Sequence, residues 1–489
     1  MDLDTGDMLR VVRATTRTVD HEYTDSLLPV EGTLPPALDG VLFRNGPARF
    51  ERGGRAYGHP FDGDGHVLRI ELGDGAARYS NRFVRTPEYV AEERAGRMLH
   101  RAFGTNLPGG LTANLFRLRI KNTANTSVIW HGGRLLALWE AGAPYRLDPR
   151  TLDTIGSEDF GGRLRNPFDR LSRMVLPLLP FSAHPRIDPI SGDLINFGLV
   201  AGIRNRLLIY RVDRHGQMGP WQEHHLPRFS FVHDVAITRR WICLLLPFAD
   251  YDVARSALGL ATPVGSLSID RTRPMQALLL PREPSGTGVH LLPRIDCGTG
   301  FVFHIAQAFD RDDGALVLDA VRYGHFPDFD RFEDLFRRPD PGNVPHLERI
   351  VLDPAAGRAE ITRWGPWAFE LPTADARIPL GEPHRILYGN GAPENRFTPF
   401  LTSVQRLDTE TGALVSRDLG LDLVGEPIPA PDPDGSEGWL LCPVYRAGPQ
   451  RVELLVLRAA DLATIATLRL PHPVPLGFHG CWVPRAALT

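Results

Sequence analysis

Short apolar runs, rich in β-branched and aromatic residues, recur along the whole chain and alternate with turn-forming residues. The clearest runs are residues 41–44, 66–72, 126–137, 194–199, 206–212, 240–246, 316–321, 349–352, 438–444 and 452–457. Between them stand pairs that favour tight turns: Asp74-Gly75, Asp313-Gly314, Asn390-Gly391 and Asp434-Gly435. Strands at this spacing, with few long helical patterns, predict an all-β fold. Helices are predicted only from Pro87 to Phe103 and from Pro327 to Arg337.

A second sequence pattern, a strand followed by Asp and a few residues later by Gly or Leu, recurs along the chain. It occurs at residues 146–152, 187–192, 351–357 and 406–412. We interpret each occurrence as the outer hairpin turn of one blade in a β-propeller, whose four-stranded blades surround a central channel. No boundary divides the sequence, so residues 1–489 are expected to form one domain, with residues 1–29 as an N-terminal extension.

Composition excludes several classes of protein. The chain has 489 residues, 43% of them apolar and 23% charged, and a net charge of −3, which is typical of a soluble globular protein. A nucleic-acid partner is not expected, because phosphate-binding surfaces are usually basic. Four scattered cysteines without a C-x-x-C pair predict neither a thiolate zinc site nor a disulfide framework. With no signal peptide and no apolar run near the ~20 residues of a membrane span, a cytoplasmic location is expected.

Four of the 17 histidines have an unusual setting. Each follows an apolar residue, and most lie in or beside strand-like sequence: His184, His233, His304 and His479. An imidazole in an apolar strand is costly unless something satisfies it, and a metal ion is one such partner. The alternative is a hydrogen-bonded core or surface histidine, which is the commoner case. The wide spacing fits ligands that converge from different blades, although His59 and His472, each followed by Pro, stay open as candidates.

Three glutamates stand in apolar or Pro/Gly-rich surroundings: Glu140, Glu370 and Glu426. A buried carboxylate needs a partner. Histidines that bind a metal usually donate their second ring nitrogen to a carboxylate or carbonyl, so the glutamates are candidates for that role. The alternative for each is a solvent-facing residue at the end of a strand.

Eight stretches match one known family, in the order in which the family carries them. They are FRNGPARF (43–50), GHPFDGDGHV (58–67), the segment 122–156, FSAHPRIDPISGDLINFG (181–198), FVHDVAIT (231–238), FHIAQAFDRDDG (303–314), VGEPIP (424–429) and GFHGCW (477–482). From about residue 30 onward the chain therefore resembles the carotenoid cleavage oxygenases. The LLALWE and NTANT stretches are most similar to bacterial apocarotenoid oxygenases.

The resemblance implies a seven-bladed propeller with Fe(II) on its axis and a cap of loops and short helices above the metal. The implied ligands are His184, His233, His304 and His479. It also implies that Glu140, Glu370 and Glu426 hold His233, His304 and His479 respectively, which leaves His184 without a glutamate. The third histidine motif departs from the family pattern at Gln307 and Asp310, and neither position is an implied ligand.

Oxidative cleavage of a conjugated C=C bond to two carbonyl products is the implied reaction, with O2 as the second substrate. Four neutral imidazoles supply no negative charge. The outer glutamates would supply it by contacting the histidines, without binding the iron themselves. Up to two positions would remain open for O2 and solvent. The protein would place one double bond near the iron inside an apolar tunnel. Candidate tunnel residues are Trp139, Phe303, Phe61 and Phe103.

A carotenoid or apocarotenoid is the expected substrate. Stilbene-cleaving members carry a Lys before the first outer glutamate, where this chain has Trp139, and an indole cannot pair with a phenolate. A stilbene or phenylpropene dioxygenase is the alternative within the family, retinoid isomerisation is a third, and a metal-free binding scaffold is the alternative from another class. The apolar segment from Leu171 to Phe181 is either a core segment or a patch that touches a membrane to collect lipophilic substrate.

Overall fold

Most strands in the part of the chain that the structure describes form seven antiparallel sheets, arranged as the blades of a β-propeller. The structure is a computed structural model, and it describes residues 11, 14–202, 204–283, 294–326, 340, 343–392 and 401–488. The predicted all-β, seven-bladed fold is confirmed.

Each blade is given from its innermost strand outward. Blade 1 consists of β35 (Gly480–Pro484), β3 (Gly40–Arg49), β6 (Asp64–Gly73), β7 (Ala76–Phe83) and β1 (Ser26–Leu27). Blade 2 consists of β8 (Ser127–His131), β9 (Arg134–Leu138), β10 (Tyr145–Leu147) and β11 (Thr154–Ser157). Blade 3 consists of β12 (Arg186–Ile187), β13 (Leu194–Val200), β14 (Asn205–Val212) and β15 (Gln222–Leu226). Blade 4 consists of β16 (Ala236–Ile237), β17 (Trp241–Leu246), β20 (Gln276–Pro281) and β21 (Arg294–Asp296).

The remaining blades follow the same plan. Blade 5 consists of β22 (Phe301–Asp310), β23 (Leu316–Tyr323), β24 (His346–Asp353) and β25 (Arg358–Arg363). Blade 6 consists of β26 (Ala368–Thr373), β27 (Ile386–Ala392), β28 (Ser403–Asp408) and β29 (Leu414–Asp418). Blade 7 consists of β30 (Leu423–Val424), β31 (Ile428–Ala430), β32 (Trp439–Arg446), β33 (Arg451–Arg458), β34 (Thr464–Arg469) and β2 (Val30–Gly32). Two hairpins stand apart, β4 (Glu51–Arg52) with β5 (Arg55–Ala56) and β18 (Ala249–Tyr251) with β19 (Leu267–Ile269).

Both ends of the chain close the ring of blades. The C-terminal strand β35 pairs with β3 on the inside of blade 1, whereas the N-terminal strand β2 pairs with β34 on the outside of blade 7. Strand β1 lies within the expected N-terminal extension and pairs with β7. The two termini therefore hold the first and last blades together.

The hydrophobic core lies between neighbouring blades. Each apolar cluster joins side chains of two adjacent sheets, as when Leu136 and Leu138 of blade 2 pack with Leu208 and Tyr210 of blade 3. Alternating strand residues face the two sides of a blade, so each blade packs against both neighbours. Three of the cysteines are buried in this core, Cys243 and Cys297 between blades 4 and 5 and Cys442 between blades 6 and 7.

The ten predicted runs fall on strands, but three local predictions need correction. Residues 126–137 contain two strands, since the chain turns at Gly132-Gly133, whose φ angles are 57° and 71°. Asn390-Gly391 is no turn but part of β27. A Cβ at Gly391 would lie 2.3 Å from the carbonyl oxygen of Ala368. A glycine is needed here because the backbone of β26 comes too close for a side chain. The strand–Asp–Gly pattern at residues 187–192 forms the turn between the two innermost strands of blade 3, β12 and β13, and not an outer hairpin turn.

The helices are short and lie in connections between strands. Helix α1 (Pro87–Ala95) ends earlier than predicted because Gly96 adopts the left-handed conformation with φ 59°. Helices α2 (Gly110–Asn114), α3 (Arg170–Val175) and α4 (Val253–Ala257) each span about one turn. The helix predicted from Pro327 to Arg337 lies outside the described residues. Over the described ranges, none of the helices has the length and apolar character needed to cross a bilayer.

Candidate metal centre

Four histidines lie on or just before the innermost strands of four blades. His184 and His233 lie just before β12 and β16, and His479 lies directly before β35. His304 lies inside β22, where the pairing with β23 shifts register on both sides of Ile305. Such irregularities re-aim a side chain, and here they accompany an inward-facing imidazole.

The structure brings these four side chains together on the axis. Their candidate ligand nitrogens all lie within 4.8 Å of one another. Ring centroids of His184 and His233 are 4.2 Å apart, and those of His304 and His479 are 5.1 Å apart. Metal–imidazole bonds of about 2.1 Å let one ion bridge nitrogens separated by this much.

The donor atoms themselves fit a cation. The Nε2 atoms of His184 and His304 are buried and have no hydrogen-bond partner among the described residues. Burial holds the pKa values of His184 and His233 well below the ordinary value, so both rings are neutral. Neutral imidazole is the form that binds iron, zinc and copper. Three of the four imidazoles, those of His184, His233 and His304, thus have an unpartnered ring nitrogen or are neutral, and the convergence of all four on one point suits a single metal ion.

Each of the three glutamates lies against one of the histidines. Nδ1 of His304 donates to Glu370 Oε2 at 2.6 Å, and Nδ1 of His479 donates to Glu426 Oε1 at 2.8 Å.

Glu140 Oε1 lies 3.1 Å from His233 Nδ1 without hydrogen-bond alignment, and it lies 3.7 Å from His184 Nε2. The contacts of Glu370 and Glu426 are those that the resemblance implied, whereas Glu140 lies near both His233 and His184, and the assignment of Glu140 to His233 stays a prediction.

Every blade contributes one of these seven polar residues. Blades 1, 3, 4 and 5 provide the histidines, and blades 6 and 7 provide Glu370 on β26 and Glu426 between β30 and β31. Blade 2 provides Glu140, two residues after the end of β9. The centre thus depends on the whole ring of blades and not on a local motif.

The three glutamates differ in what stabilises their charge. Glu426 accepts from the buried Arg44 at 3.1 Å and from the backbone N–H of Gly480. Glu370 accepts from the Tyr323 hydroxyl at 2.8 Å and from the Leu371 N–H. Although burial opposes ionisation, these neighbours and the adjoining histidines hold the pKa values of Glu426 and Glu370 below the usual range.

Glu140 has weaker support. It accepts from the Ser182 hydroxyl at 3.2 Å, and burial raises its pKa to about 8. Burial opposes protonation of His304, but Glu370 raises the pKa of this imidazole above its usual value. Negative charge is therefore concentrated behind His304 and His479.

Comparison with known proteins agrees with this geometry. The sequence profile of the family described as RPE65, retinal pigment epithelial membrane protein, matches residues 16–484. The chain belongs to this family of carotenoid oxygenases. An apocarotenoid-15,15'-oxygenase from Synechocystis is 36% identical over 471 residues, which cover 93% of this chain and 92% of the relative. Isoeugenol monooxygenase from Pseudomonas putida is 28% identical and covers 93% of this chain and 94% of its own.

The fold of a solved family member is also similar. Cobalt-substituted apocarotenoid oxygenase from Synechocystis has a TM-score of 0.88 and 34% identity, with 98% of this chain and 99% of the relative covered. As a member of the RPE65 family the protein is an enzyme of the carotenoid cleavage oxygenase class, and the alternative of a non-catalytic scaffold is not supported.

The four predicted tunnel residues have different neighbours, and the ring of Phe303 packs against a histidine of the centre. The Phe303 ring is 5.3 Å from that of His233 and packs edge-on to it. Phe61 stacks edge-on against Phe478, which precedes His479, with centroids 5.2 Å apart. Phe103 lies 6.4 Å from Phe231. Trp139 is buried beside Glu140 and packs near Gly142.

Two further histidines stay outside the group of four. His59 accepts from the N–H of Phe61 and packs edge-on against the Phe61 ring. His472 pairs with the Tyr79 hydroxyl at 2.8 Å and stacks on Tyr23. Neither belongs to the cluster found among the described residues.

The two departures from the family pattern have structural contacts. Gln307 donates to Asp319 at 2.6 Å and accepts from the backbone N–H of His384. Asp310 accepts from the N–H of Arg240. These contacts account for both side chains without the metal centre.

The segment from Leu171 to Phe181 has an exposed part and a part that is buried in the core. Leu171 and Met174 on α3 are 59% and 69% exposed, whereas Leu179 and Phe181 are fully buried between blades 2 and 3. Membrane contact through the exposed part stays a prediction.

Sequence reasoning missed the partners of the glutamates: Arg44, Ser182 and Tyr323. Arg44 stands in the FRNGPARF stretch, where an arginine inside an apolar strand was an available signal of a buried carboxylate. Nothing near Ser182 or Tyr323 in the sequence indicates their contacts.

Proposed function

We propose that this RPE65-family enzyme uses Fe(II) and O2 to cleave a conjugated C=C bond of a carotenoid or apocarotenoid into two carbonyl products. The observation that carries the proposal is the convergence on the propeller axis of four imidazoles whose side chains are only 11–13% exposed. His184, His233, His304 and His479 would hold the iron. When bound, the iron would activate O2 toward the double bond.

The glutamates set the charge of the site without occupying a ligand position. Glu370 and Glu426 fix the tautomers of His304 and His479, since each accepts the Nδ1 proton and leaves Nε2 for the metal. Their ionised carboxylates offset the charge of a divalent cation bound by neutral ligands. This arrangement favours Fe(II) while leaving positions around the metal free of anionic protein ligands.

The proposed reaction needs no general acid or base. Both atoms of O2 pass to the two carbons of the broken C=C bond, so each carbon becomes a carbonyl and neither a proton nor an external electron is consumed. The residues around the centre must instead orient the alkene and keep water away. Phe303 beside His233 and Phe61 beside Phe478 offer apolar surfaces for this task.

A polyene suits these surfaces better than a phenol does. The only lysine of the chain, Lys121, is fully buried and paired with Asp64 at 2.9 Å and Glu92 at 3.2 Å, so it cannot meet a phenolate. Trp139 occupies the position before Glu140 and offers an indole. The similarity to an apocarotenoid oxygenase supports the same choice, while the isoeugenol-acting relative keeps a phenylpropene as the alternative substrate.

The proposal is tested by product analysis under isotopically labelled oxygen. Protein reconstituted with Fe(II) without air is exposed to ¹⁸O₂ with an apocarotenal in one sample and resveratrol in another, and metal-free protein is the control. We expect two labelled carbonyl fragments from the apocarotenal, and none without iron. Cleavage of resveratrol alone would overturn the substrate assignment, and cleavage by the metal-free control would overturn the role of iron.

A further inference from the structure

An ion pair next to the candidate centre connects the segments that carry three of the histidines. Arg186 follows His184 by two residues, and Asp234 directly follows His233. Arg186 Nη2 donates to Asp234 Oδ2 at 2.6 Å. The pair therefore links the inner strands of blades 3 and 4 next to their histidines.

The same pair also holds the third segment, through Ile305, which directly follows His304. Asp234 Oδ2 accepts from the Ile305 N–H at 2.8 Å, and Arg186 Nη2 donates to the Ile305 carbonyl at 2.7 Å. Both backbone groups of one residue are thus bound by the two members of one ion pair.

Two more hydrogen bonds fix the pair itself. Arg186 Nε donates to the Val235 carbonyl at 3.0 Å, and Asp234 Oδ1 accepts from the Val235 N–H at 2.7 Å. The Asp234 side chain is 3% exposed and that of Arg186 is 29% exposed. A charge-assisted network of this kind, largely withdrawn from water, is short and directional.

The backbone at Ile305 is where such support is needed. Its pairing with β23 is irregular on both sides, so the ladder alone does not fix how His304 is aimed. Consecutive Cα atoms are 3.8 Å apart, so a shift of Ile305 moves the His304 ring with it. The network therefore sets the position of His304 relative to His184 and His233.

We propose that Arg186 and Asp234 are positioning residues that set the spacing of the three histidines before the metal binds. The inference rests on the proposed metal centre. The four candidate ligands then fall into two groups. Arg186 and Asp234 position His184, His233 and His304, whereas His479 is held independently through Glu426 and Arg44.

The test compares metal binding with stability in matched variants. Metal-free protein carrying Arg186→Met or Asp234→Asn is titrated with Co²⁺ against a chelator, the visible absorption spectrum is recorded, and thermal melting is followed without metal. Asp234→Asn keeps the shape of the side chain and one acceptor oxygen, so it covers the case in which Arg186→Met does not fold.

The matched control is Arg282→Met. Arg282 donates to Asp188 at 2.6 Å and to the Thr238 carbonyl, so it also joins blades 3 and 4, with side chains of the pair 12% and 11% exposed. It has no contact with Ile305 among its described hydrogen bonds.

We expect Co²⁺ affinity to fall about 10-fold or more in both variants of the network, within the range for partners that support metal ligands. We also expect the Co²⁺ spectrum to change, whereas Arg282→Met lowers the melting temperature but keeps affinity and spectrum. Arg186→Lys restores the charge without the planar fork and should recover affinity only in part.

Parent-like affinity and spectrum in both network variants would overturn the proposal, as would an equal loss of affinity in Arg282→Met. If the parent itself bound no Co²⁺, the proposed metal centre would fail, and this inference with it. If the parent binds Co²⁺ and turns over substrate normally, and both network variants match its Co²⁺ affinity and spectrum, the positioning role is contradicted and the proposed metal centre is not.

Discussion

Arg44 donates hydrogen bonds to both the side-chain carboxylate and the backbone carbonyl of Glu426, although 382 positions separate the two residues. The second guanidinium nitrogen, Nη2, donates to the carbonyls of Leu476 and Phe478. Arg44 is on β3 of blade 1, and Glu426 stands between β30 and β31 of blade 7. One arginine thereby joins the two closing blades and orients the carboxylate that holds His479.

Replacement of Arg44 by Met should destabilise the protein strongly. It leaves the Glu426 carboxylate buried without its cation, and breaking a buried pair in this way costs about 3–5 kcal/mol. Urea unfolding of metal-free protein measures the loss. The control is Arg458→Met, which removes the exposed Arg458–Asp461 pair and should cost about 1 kcal/mol or less. Equal effects of the two substitutions would contradict the role given to Arg44.

Removal of one candidate ligand should abolish iron binding and turnover. His304→Ala deletes an imidazole that faces the centre and also removes the hydrogen bond that Glu370 accepts from that ring. Iron content after anaerobic reconstitution and product formation from an apocarotenal are the measurements. His472→Gln, which alters a histidine outside the group of four, should retain iron. Full activity of His304→Ala would refute its assignment as a ligand.

Loss of an outer carboxylate should have a smaller effect than loss of a ligand. Glu370→Gln and Glu426→Gln keep the shape of the side chain but remove the charge behind His304 and His479. We expect Fe²⁺ affinity and turnover to fall about 10–100-fold. Glu437→Gln is the control, since Glu437 accepts from Tyr388 and Arg406 away from the histidines. Unchanged affinity in both Glu370 and Glu426 variants would show that these carboxylates do not support the metal.

The strands of the blades could be predicted from local patterns, whereas local signals made the seven polar residues candidates only and the family resemblance selected them as one set. An imidazole or carboxylate inside an apolar strand is unusual wherever it occurs, and eight matching stretches add the order of the family. Among the residues that hold these groups, Arg44 carries a comparable signal, whereas Ser182 and Tyr323 carry none. Tyr323 and Glu370 are 47 positions apart, and nothing in the sequence gives the relation between their blades.

Local rules failed where a neighbouring strand decides the conformation. Asn390-Gly391 has the composition of a turn, yet Gly391 is required by the backbone of β26. The end of α1 is a different case, because Gly96 is a local signal for the end of the helix, although the helical pattern in the sequence continues to Phe103.

Acid should weaken the protein in part through His472. Burial lowers its pKa to about 4, below the value of about 6.5 in an unfolded chain. The unfolded state therefore binds more protons between pH 6.5 and 4, so stability falls as the pH is lowered through this window.

His472→Gln removes this titration and keeps a partner for Tyr79. The melting temperature of metal-free His472→Gln should drop less between pH 7 and pH 5 than that of the parent. The same drop in both proteins would show that His472 is protonated equally in the folded and unfolded states.

The central claim is that four imidazoles, and no carboxylate, bind one iron on the propeller axis. X-ray absorption at the iron edge of the Fe²⁺-loaded protein, together with the iron content per chain, tests it most directly. The account predicts about one iron per chain, with first-shell distances and multiple scattering typical of four histidine rings. Absence of bound iron, or a first shell containing a protein carboxylate in place of these rings, would contradict it.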